Sequence, residues 1–357
     1  MDQTIKLRIQ SKEKLSKDTA RLYLEPVSKR IHFQAGQFLT FLFDELATQE
    51  VRRSYSICSK PSEQDKLAIA VKKVSNGLVS RYLVDQTQVG EVLTALAPAG
   101  QFVLPSDWSE SAPLVLVGGG SGMSPLFSLL QGCLEKDQRP IYLLLANSNE
   151  QRILFLNELN ELATRFQNRF HCFHLLSNPM EQPSDLKARY PNMEFKWGRL
   201  SNFLFEEFIK KRLGDQMYNA HYYLCGPELM ILKAQTVLRT EKVSIAHIHR
   251  EIFTVKTPLK PNLEELENAQ IEINYLGEKM EFPLTAGQTV LEAALEASYD
   301  LPYNCRAGTC TICVGTCTEG NAQMYTQEQK LDTDMTKGAI FTCVAYPTTK
   351  KLKLSIP

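Results

Sequence analysis

Four cysteines near the end of the chain restrict its possible folds more than any other feature. Cys305, Cys310 and Cys313 stand in the run Cys305-Arg306-Ala307-Gly308-Thr309-Cys310-Thr311-Ile312-Cys313, and Cys343 follows thirty positions later. Cys-x4-Cys-x2-Cys with one distant cysteine is the ligand pattern of a plant-type [2Fe–2S] cluster. Two irons need four thiolates converging on one small volume. A loop of small residues (Ala307, Gly308, Thr309) can wrap such a group tightly and offer it backbone N–H groups. Zinc is the competing reading. Structural zinc sites are commonly built from two separated Cys-x2-4-Cys hooks, however, and here the closely spaced cysteines fall in a single run. A disulfide framework belongs to secreted chains, and nothing marks this chain as secreted.

At 357 residues the chain has room for two or three domains. Its 43% hydrophobic content is that of a globular protein, and it contains no apolar run long enough to span a bilayer. The start, Met1-Asp2-Gln3-Thr4-Ile5-Lys6, enters an alternating pattern without an apolar leader. Lys+Arg and Asp+Glu both count 40, so no global attraction to nucleic acid or anionic lipid is expected. Nine cysteines without a leader suggest a reducing, cytoplasmic setting in which they serve as ligands or core residues.

Residues 4 to about 105 read as short strands broken by turn residues, the pattern of a small antiparallel barrel. Leu22–Leu24, Gln37–Phe43, Ser54–Cys58 and Leu67–Val71 are its clearest strands. Arg53-Ser54-Tyr55-Ser56 sets a cation, an aromatic plane and hydroxyls on one short segment. Lys72 to Ser80 joins a strand to an expected helix through Gly77, a natural place for an anion. Taken singly, the first is a strand with a surface arginine and the second a helix cap.

From about residue 112 the rhythm changes to strand, glycine turn, helix, which argues for a doubly wound α/β domain. Pro113–Val117 is a continuous apolar run of the buried parallel kind. Gly118-Gly119-Gly120-Ser121-Gly122-Met123-Ser124 follows, with Met123 where the dinucleotide fingerprint has its third glycine. Glycines still let the backbone approach a pyrophosphate, and a helix N-terminus supplies donors. Further strands are expected at Ile141–Ala146, His171–Leu176 and His221–Leu224, the last running into Cys225-Gly226-Pro227. By itself that corner is a turn with a core cysteine.

In combination and in this order, these segments resemble the ferredoxin–NADP reductase superfamily, with a plant-type ferredoxin domain at the C-terminal end. The resemblance covers nearly the whole chain, and the likeness is to the phenylacetyl-CoA oxygenase type of reductase component. It implies a flavin-binding β-barrel over 1–107, an NAD(P)H-binding α/β domain over 108–253, a linker over 254–269 and a β-grasp [2Fe–2S] domain over 270–357. Pro98-Ala99-Gly100-Gln101-Phe102 matches the segment that closes the family's barrel. It further implies that Arg53 contacts the flavin pyrophosphate, that Tyr55 packs on the isoalloxazine ring and that Ser56 lies near flavin N5. Gly77 and Ser80 would hold the pyrophosphate, with Ser54, Val71, Lys72, Leu78 and Val79 completing the flavin side. Gly120, Ser121, Gly122, Met123, Ser124 and Ser177 would bind the nicotinamide nucleotide. Cys225, with Gly226 and Pro227, would lie beside the nicotinamide where hydride passes to flavin. Glu251 and Phe253 would close the reductase unit near the flavin. Cys343 takes the fourth cluster position by the family's spacing, so Cys317 reads as a small strand residue.

The function so implied is electron transfer from NAD(P)H through FAD to the cluster, and on to a terminal oxygenase, hydroxylase or desaturase. FAD rather than FMN is expected, because the barrel provides for a pyrophosphate. A stand-alone NAD(P)H oxidase or quinone reductase is the alternative enzyme, and a cluster-bearing redox sensor the alternative without turnover. In superfamily members that use NADPH, a Ser-Arg pair after the third strand grips the 2′-phosphate. Ser177-Asn178 stands there, without the charge, which favours NADH. Arg152 and Lys187 are the cations near enough in sequence to oppose this. No acid placed to bind a ribose hydroxyl is evident after the second strand, at Asn147-Ser148-Asn149-Glu150.

Overall fold

A computed structural model describes residues 4–43, 51–62, 67–75, 77–105, 108–109, 111–253, 266–299, 301–303, 306–308, 312–325 and 338–356. The chain divides into two compact units, Thr4–Ile252 and Phe253–Pro357. Residues 254–265 of the expected linker lie outside the described residues.

The first unit opens with six antiparallel strands: β1 (Thr4–Ser16), β2 (Thr19–Pro26), β3 (Phe38–Phe43), β4 (Val51–Ser56), β5 (Leu67–Lys72) and β6 (Val92–Leu96). Alternation sets the register. In β1, Leu7 and Ile9 are fully buried while Lys6, Arg8 and Gln10 face out. The order is β4-β3-β6-β1-β2-β5, and an antiparallel bridge between Ile57 and Ile69 brings the end of β4 back onto β5. A sheet closed this way is a barrel, filled by Leu22, Leu39, Phe41, Ile69 and Leu83. The helix expected after Gly77 is shorter than its pattern suggests. It is one turn, α1 (Leu78–Arg81), continued by a π-helical turn over Tyr82–Gln86.

The α/β half follows as β7 (Leu114–Gly118), α2 (Met123–Lys136), β8 (Ile141–Asn147), α3 (Leu156–Arg165), β9 (Phe170–Leu176), α4 (Pro183–Arg189), β10 (Met193–Trp197), α5 (Asn202–Leu213), β11 (His221–Cys225), α6 (Glu228–Thr240) and β12 (Ile248–Glu251). Its strands are all parallel in the order β10-β9-β8-β7-β11-β12. Strand order reverses between β7 and β11, which opens a crevice beyond their C-terminal ends. Two edge strands, β10 and β12, were not expected. Met193-Glu194-Phe195-Lys196-Trp197 alternates with charged residues because one face of an edge strand stays wet.

Barrel and α/β half share a core. Cys58, Ala68, Ala70 and Phe102 pack in one cluster with Met123, Leu126 and Leu130 of α2. The Tyr223 hydroxyl donates to the Val103 carbonyl at 2.7 Å, and the Ser128 hydroxyl to the Ser59 carbonyl at 2.7 Å. Within the barrel, Gly36 sits at φ +91°, and a Cβ there would lie 1.9 Å from the Phe102 carbonyl oxygen. A side chain at that position would displace the segment that closes the barrel and carries Phe102 into the shared core.

The second unit contains β13 (Ala269–Tyr275), β14 (Glu278–Leu284), α7 (Val290–Glu296), β15 (Val314–Glu319), β16 (Ala322–Met324), β17 (Ala339–Phe341), β18 (Ala345–Pro347) and β19 (Lys351–Ile356). Its main sheet runs β14-β13-β19-β15-β17, with β13 and β19 parallel, and α7 packs against it: the β-grasp expected. Thr289 and Glu292 form a capping box at the start of α7, an arrangement worth about 1 kcal/mol. Residues 342–344 form a turn between β17 and β18. Cys343 therefore points from a turn, where the backbone can redirect its thiol, rather than from a ladder.

Candidate redox centre

The crevice at the β7–β11 reversal is walled by backbone. β7 ends at Gly118 and β11 at Cys225, paired side by side, and Cys225 pairs on its other side with Glu251 of β12. A Cβ on Gly122 would lie 2.1 Å from the Cys225 carbonyl oxygen, and one on Gly119 would lie 2.4 Å from that of Ala146. The glycine loop is thus pressed against both neighbouring strand ends. Gly120 differs: at φ +56°, its missing side chain would meet nothing within 4 Å. It opens the loop toward a cavity of about 450 Å³.

Gly120 and Ser121 line this cavity together with Ser177 and Pro227, from the loops after β7, β9 and β11. Met123 is buried in the shared core, so its side chain does not face the cavity. Ser124 is also buried, and its hydroxyl has no partner among the described residues. Gly226, at φ +153°, lets the corner pass within van der Waals reach of Gly119. Of the two cations that could favour NADPH, Arg152 lines the cavity. Lys187 instead donates to the Pro191 and Met193 carbonyls at 2.7 and 3.1 Å.

On the barrel side, β4 carries Arg53, Ser54, Tyr55 and Ser56 along one short stretch. Arg53 is exposed, and Ser54 shares a 2.7 Å hydrogen bond with Thr40 of β3. Tyr55 packs at 6.1 Å from Phe41, and burial pushes its phenol well above the ordinary range. The Ser56 hydroxyl donates to Glu251 Oε2 at 3.5 Å across 195 residues of sequence. Surrounding protein pushes the half-buried Glu251 carboxyl up to about 8, and the Ser56 hydrogen bond works against that rise. At neutral pH Glu251 is accordingly a carboxylic acid able to donate a proton. Burial also pushes the Cys225 thiol well up, with Glu251 adding to it, so Cys225 is a neutral apolar wall and not a thiolate.

Around Gly77 the contacts are local. Ser80 Oγ accepts from the Val74 amide at 3.1 Å and donates to the Gly77 carbonyl at 3.4 Å, which shapes the turn. Val71 and Val79 are core residues, leaving only their backbone groups to a ligand, whereas Lys72 and Leu78 are exposed. Phe253 is 43% exposed and groups with the second unit.

In that unit Cys305 and Cys310 lie outside the described residues. Cys313 and Cys343 are both buried, and their sulfurs stand 3.3 Å apart as hydrogen-bonded thiols rather than a disulfide. Thiolates on one tetrahedral metal at about 2.3 Å would be about 3.8 Å apart, so the pair fits one metal with a shift of about half an ångström. Cys317 sits in β15, directed at the Glu319 and Gly320 carbonyls. Neither the Ser56–Glu251 pair nor the Cys225–Glu251 pairing has a local sequence signal, because both cross between elements far apart in the chain.

Three family models match in series: an oxidoreductase FAD-binding domain over residues 6–104, an oxidoreductase NAD-binding domain over 116–236 and a 2Fe-2S iron-sulfur cluster binding domain over 273–348. The chain belongs to the ferredoxin–NADP reductase superfamily as an NAD(P)H-dependent iron–sulfur flavoprotein reductase, with FAD and a [2Fe–2S] cluster as its cofactors. Among its relatives is the ferredoxin reductase component of 3-ketosteroid-9-alpha-monooxygenase from Mycobacterium tuberculosis, 28% identical over 92% of this chain and 86% of the relative. One subunit of the 1,2-phenylacetyl-CoA epoxidase of Escherichia coli is 27% identical over 91% and 89%. The fold is shared with phthalate dioxygenase reductase, at TM-score 0.60 and 23% identity over 99% and 98% of the two chains. No helix among the described residues is long and apolar enough to cross a membrane.

Proposed function

We propose that the chain is the electron-supplying component of an oxygenase, hydroxylase or desaturase system, taking reducing equivalents from NADH. The carrying observation is the junction of Ser56, Glu251 and Cys225 at the mouth of the nucleotide crevice, in a chain that also brings two cysteine sulfurs together in a separate β-grasp unit. Relatives named as reductase components of oxygenases support the choice of partner. When bound, FAD accepts hydride from the nicotinamide and releases electrons singly, and the cluster carries one at a time.

The chain's residues then have these roles. Gly120, Ser121, Gly122, Ser177, Gly226 and Pro227 admit the nucleotide, with Met123 and Ser124 fixing the start of α2 beneath it. Arg53, Ser54, Gly77 and Ser80, with backbone groups of Val71, Lys72, Leu78 and Val79, hold the flavin, and Tyr55 lies against its ring. Glu251 holds a proton beside Ser56. Cys225 keeps water from that wall, and Phe253 stands at the joint between the two units, with boundaries at 1–107, 108–253, 254–269 and 270–357, one residue from the division into compact units. Cys305, Cys310, Cys313 and Cys343 ligate the cluster, whose reduced thiols suit a cytoplasmic setting. The test is NADH-driven reduction of cytochrome c by purified protein, with oxygen uptake followed alongside. Rapid oxygen consumption without a partner would indicate an oxidase, and no dye reduction a sensor.

A further inference from the structure

The wall of the nucleotide cavity includes a carboxylate from outside the nucleotide domain. Asp18 belongs to the tight turn between β1 and β2, yet it lines the cavity beside Ser16, Thr19 and Lys72. Its Oδ1 accepts from the Ser16 hydroxyl at 2.9 Å and the Thr19 hydroxyl at 3.2 Å, and its Oδ2 accepts from Arg152 Nη1 at 3.3 Å. Burial works against its ionisation, but Ser16, Lys72, Thr19 and Arg152 together keep it below the usual carboxylate range.

Arg152 ends the short helical turn in the loop after β8, the second strand of the domain. That loop is joined to the one after β9: the Ser177 amide donates to the Asn147 carbonyl at 3.1 Å, and the Asn178 amide to the Ser148 carbonyl at 2.6 Å. In doubly wound domains this region reads the ribose 2′ position. An acid there accepts from a free 2′-hydroxyl, and an arginine takes a 2′-phosphate. The loop's own acid, Glu150, is buried, with one oxygen receiving the Met180 amide at 3.2 Å. Asp18 stands in for it from across the domain boundary and also holds the loop's cation.

We propose that Asp18 is the nucleotide-selecting residue, favouring NADH by setting its charge against a 2′-phosphate and by holding Arg152 away from that role. This rests on the NAD(P)H reductase reading. An exposed ion pair contributes at most about 1 kcal/mol, so Arg152 is readily released once its partner loses charge. A 2′-phosphate carries about −1.5 to −2, and Asp18 repels it while the freed guanidinium attracts it. Both effects act in the same direction.

The test uses flavin-loaded D18N, R152A and the double variant. The readouts are kcat/KM for NADH and NADPH with ferricyanide, and calorimetric Kd values for 2′,5′-ADP and 5′-AMP. In D18N the NADPH-to-NADH ratio should rise at least about tenfold, equivalent to about 1.4 kcal/mol, and 2′,5′-ADP should tighten to match while 5′-AMP changes little. Adding R152A should remove most of the gain. A ratio within about twofold of the parent, or a gain that survives R152A, overturns the proposal. If D18N does not retain flavin, D18S is measured in its place with the same nucleotides and analogues, and equal effects on 2′,5′-ADP and 5′-AMP refute the assignment. A parent protein that binds 5′-AMP yet oxidises neither nucleotide would instead refute the reductase reading, with the 2′,5′-ADP measurements still judging Asp18.

Discussion

Glu251→Gln should make the reductase unit more stable at alkaline pH while leaving its stability in mild acid nearly unchanged. The Glu251 carboxyl is pushed up to about 8 by burial from an ordinary 4.5. Between those values the folded state keeps a proton that the unfolded chain releases. Stability from this group is therefore fully present below the unfolded pKa and is lost as pH rises toward 8, at about 1.4 kcal/mol per pH unit. The whole loss amounts to about 4–5 kcal/mol. A glutamine at this position would preserve the shape and the neutral charge without titrating, so the difference between variant and parent should grow across the same window. For a unit of this size each kcal/mol moves Tm by about 2–4 °C, so the gap should widen by about 10 °C between pH 5.5 and pH 8. Thermal release of flavin, followed by fluorescence in buffers from about pH 5.5 to 9, measures it. Parallel Tm profiles for the two proteins would refute a half-buried Glu251 held neutral.

Cys225→Ala should slow the stopped-flow rate of flavin reduction by NADH several-fold without changing flavin or iron content; an unchanged rate would return Cys225 to a corner residue. Gly122→Ala places a Cβ 2.1 Å from the Cys225 carbonyl oxygen, so it should cost about 1–3 kcal/mol in thermal denaturation and largely abolish reduction by NADH. Cys343→Ala should remove iron from the protein and cut cytochrome c reduction at least about tenfold, whereas ferricyanide reduction, which the flavin performs directly, should survive. Equal loss of both dye activities would mean that the two units do not work independently.

Local features were the legible ones. The cysteine loop could be read because ligand spacing is set by a short backbone segment, and the glycine loop because close approach needs missing side chains at Gly118, Gly119 and Gly122. The strands of the α/β half were legible as apolar runs, with Met193–Trp197 escaping because an edge strand alternates with charge. The turn at 342–344 that aims Cys343 at Cys313 carries no turn residue such as glycine or proline to announce it. Long-range features were not legible. Glu251 acquires its raised pKa only when β12 lies beside β11 and the barrel supplies Ser56. Asp18 reads as an ordinary turn residue until the fold carries its hairpin to the nucleotide cavity.

The central claim is that one chain takes electrons in pairs at a flavin and passes them on singly at a [2Fe–2S] cluster. An anaerobic titration with NADH, paired with metal analysis of the same sample, tests it most directly. The protein should hold two irons per chain and accept roughly three electrons, two at the flavin and one at the cluster, with both chromophores bleaching. Uptake of about two electrons with zinc in place of iron would contradict it.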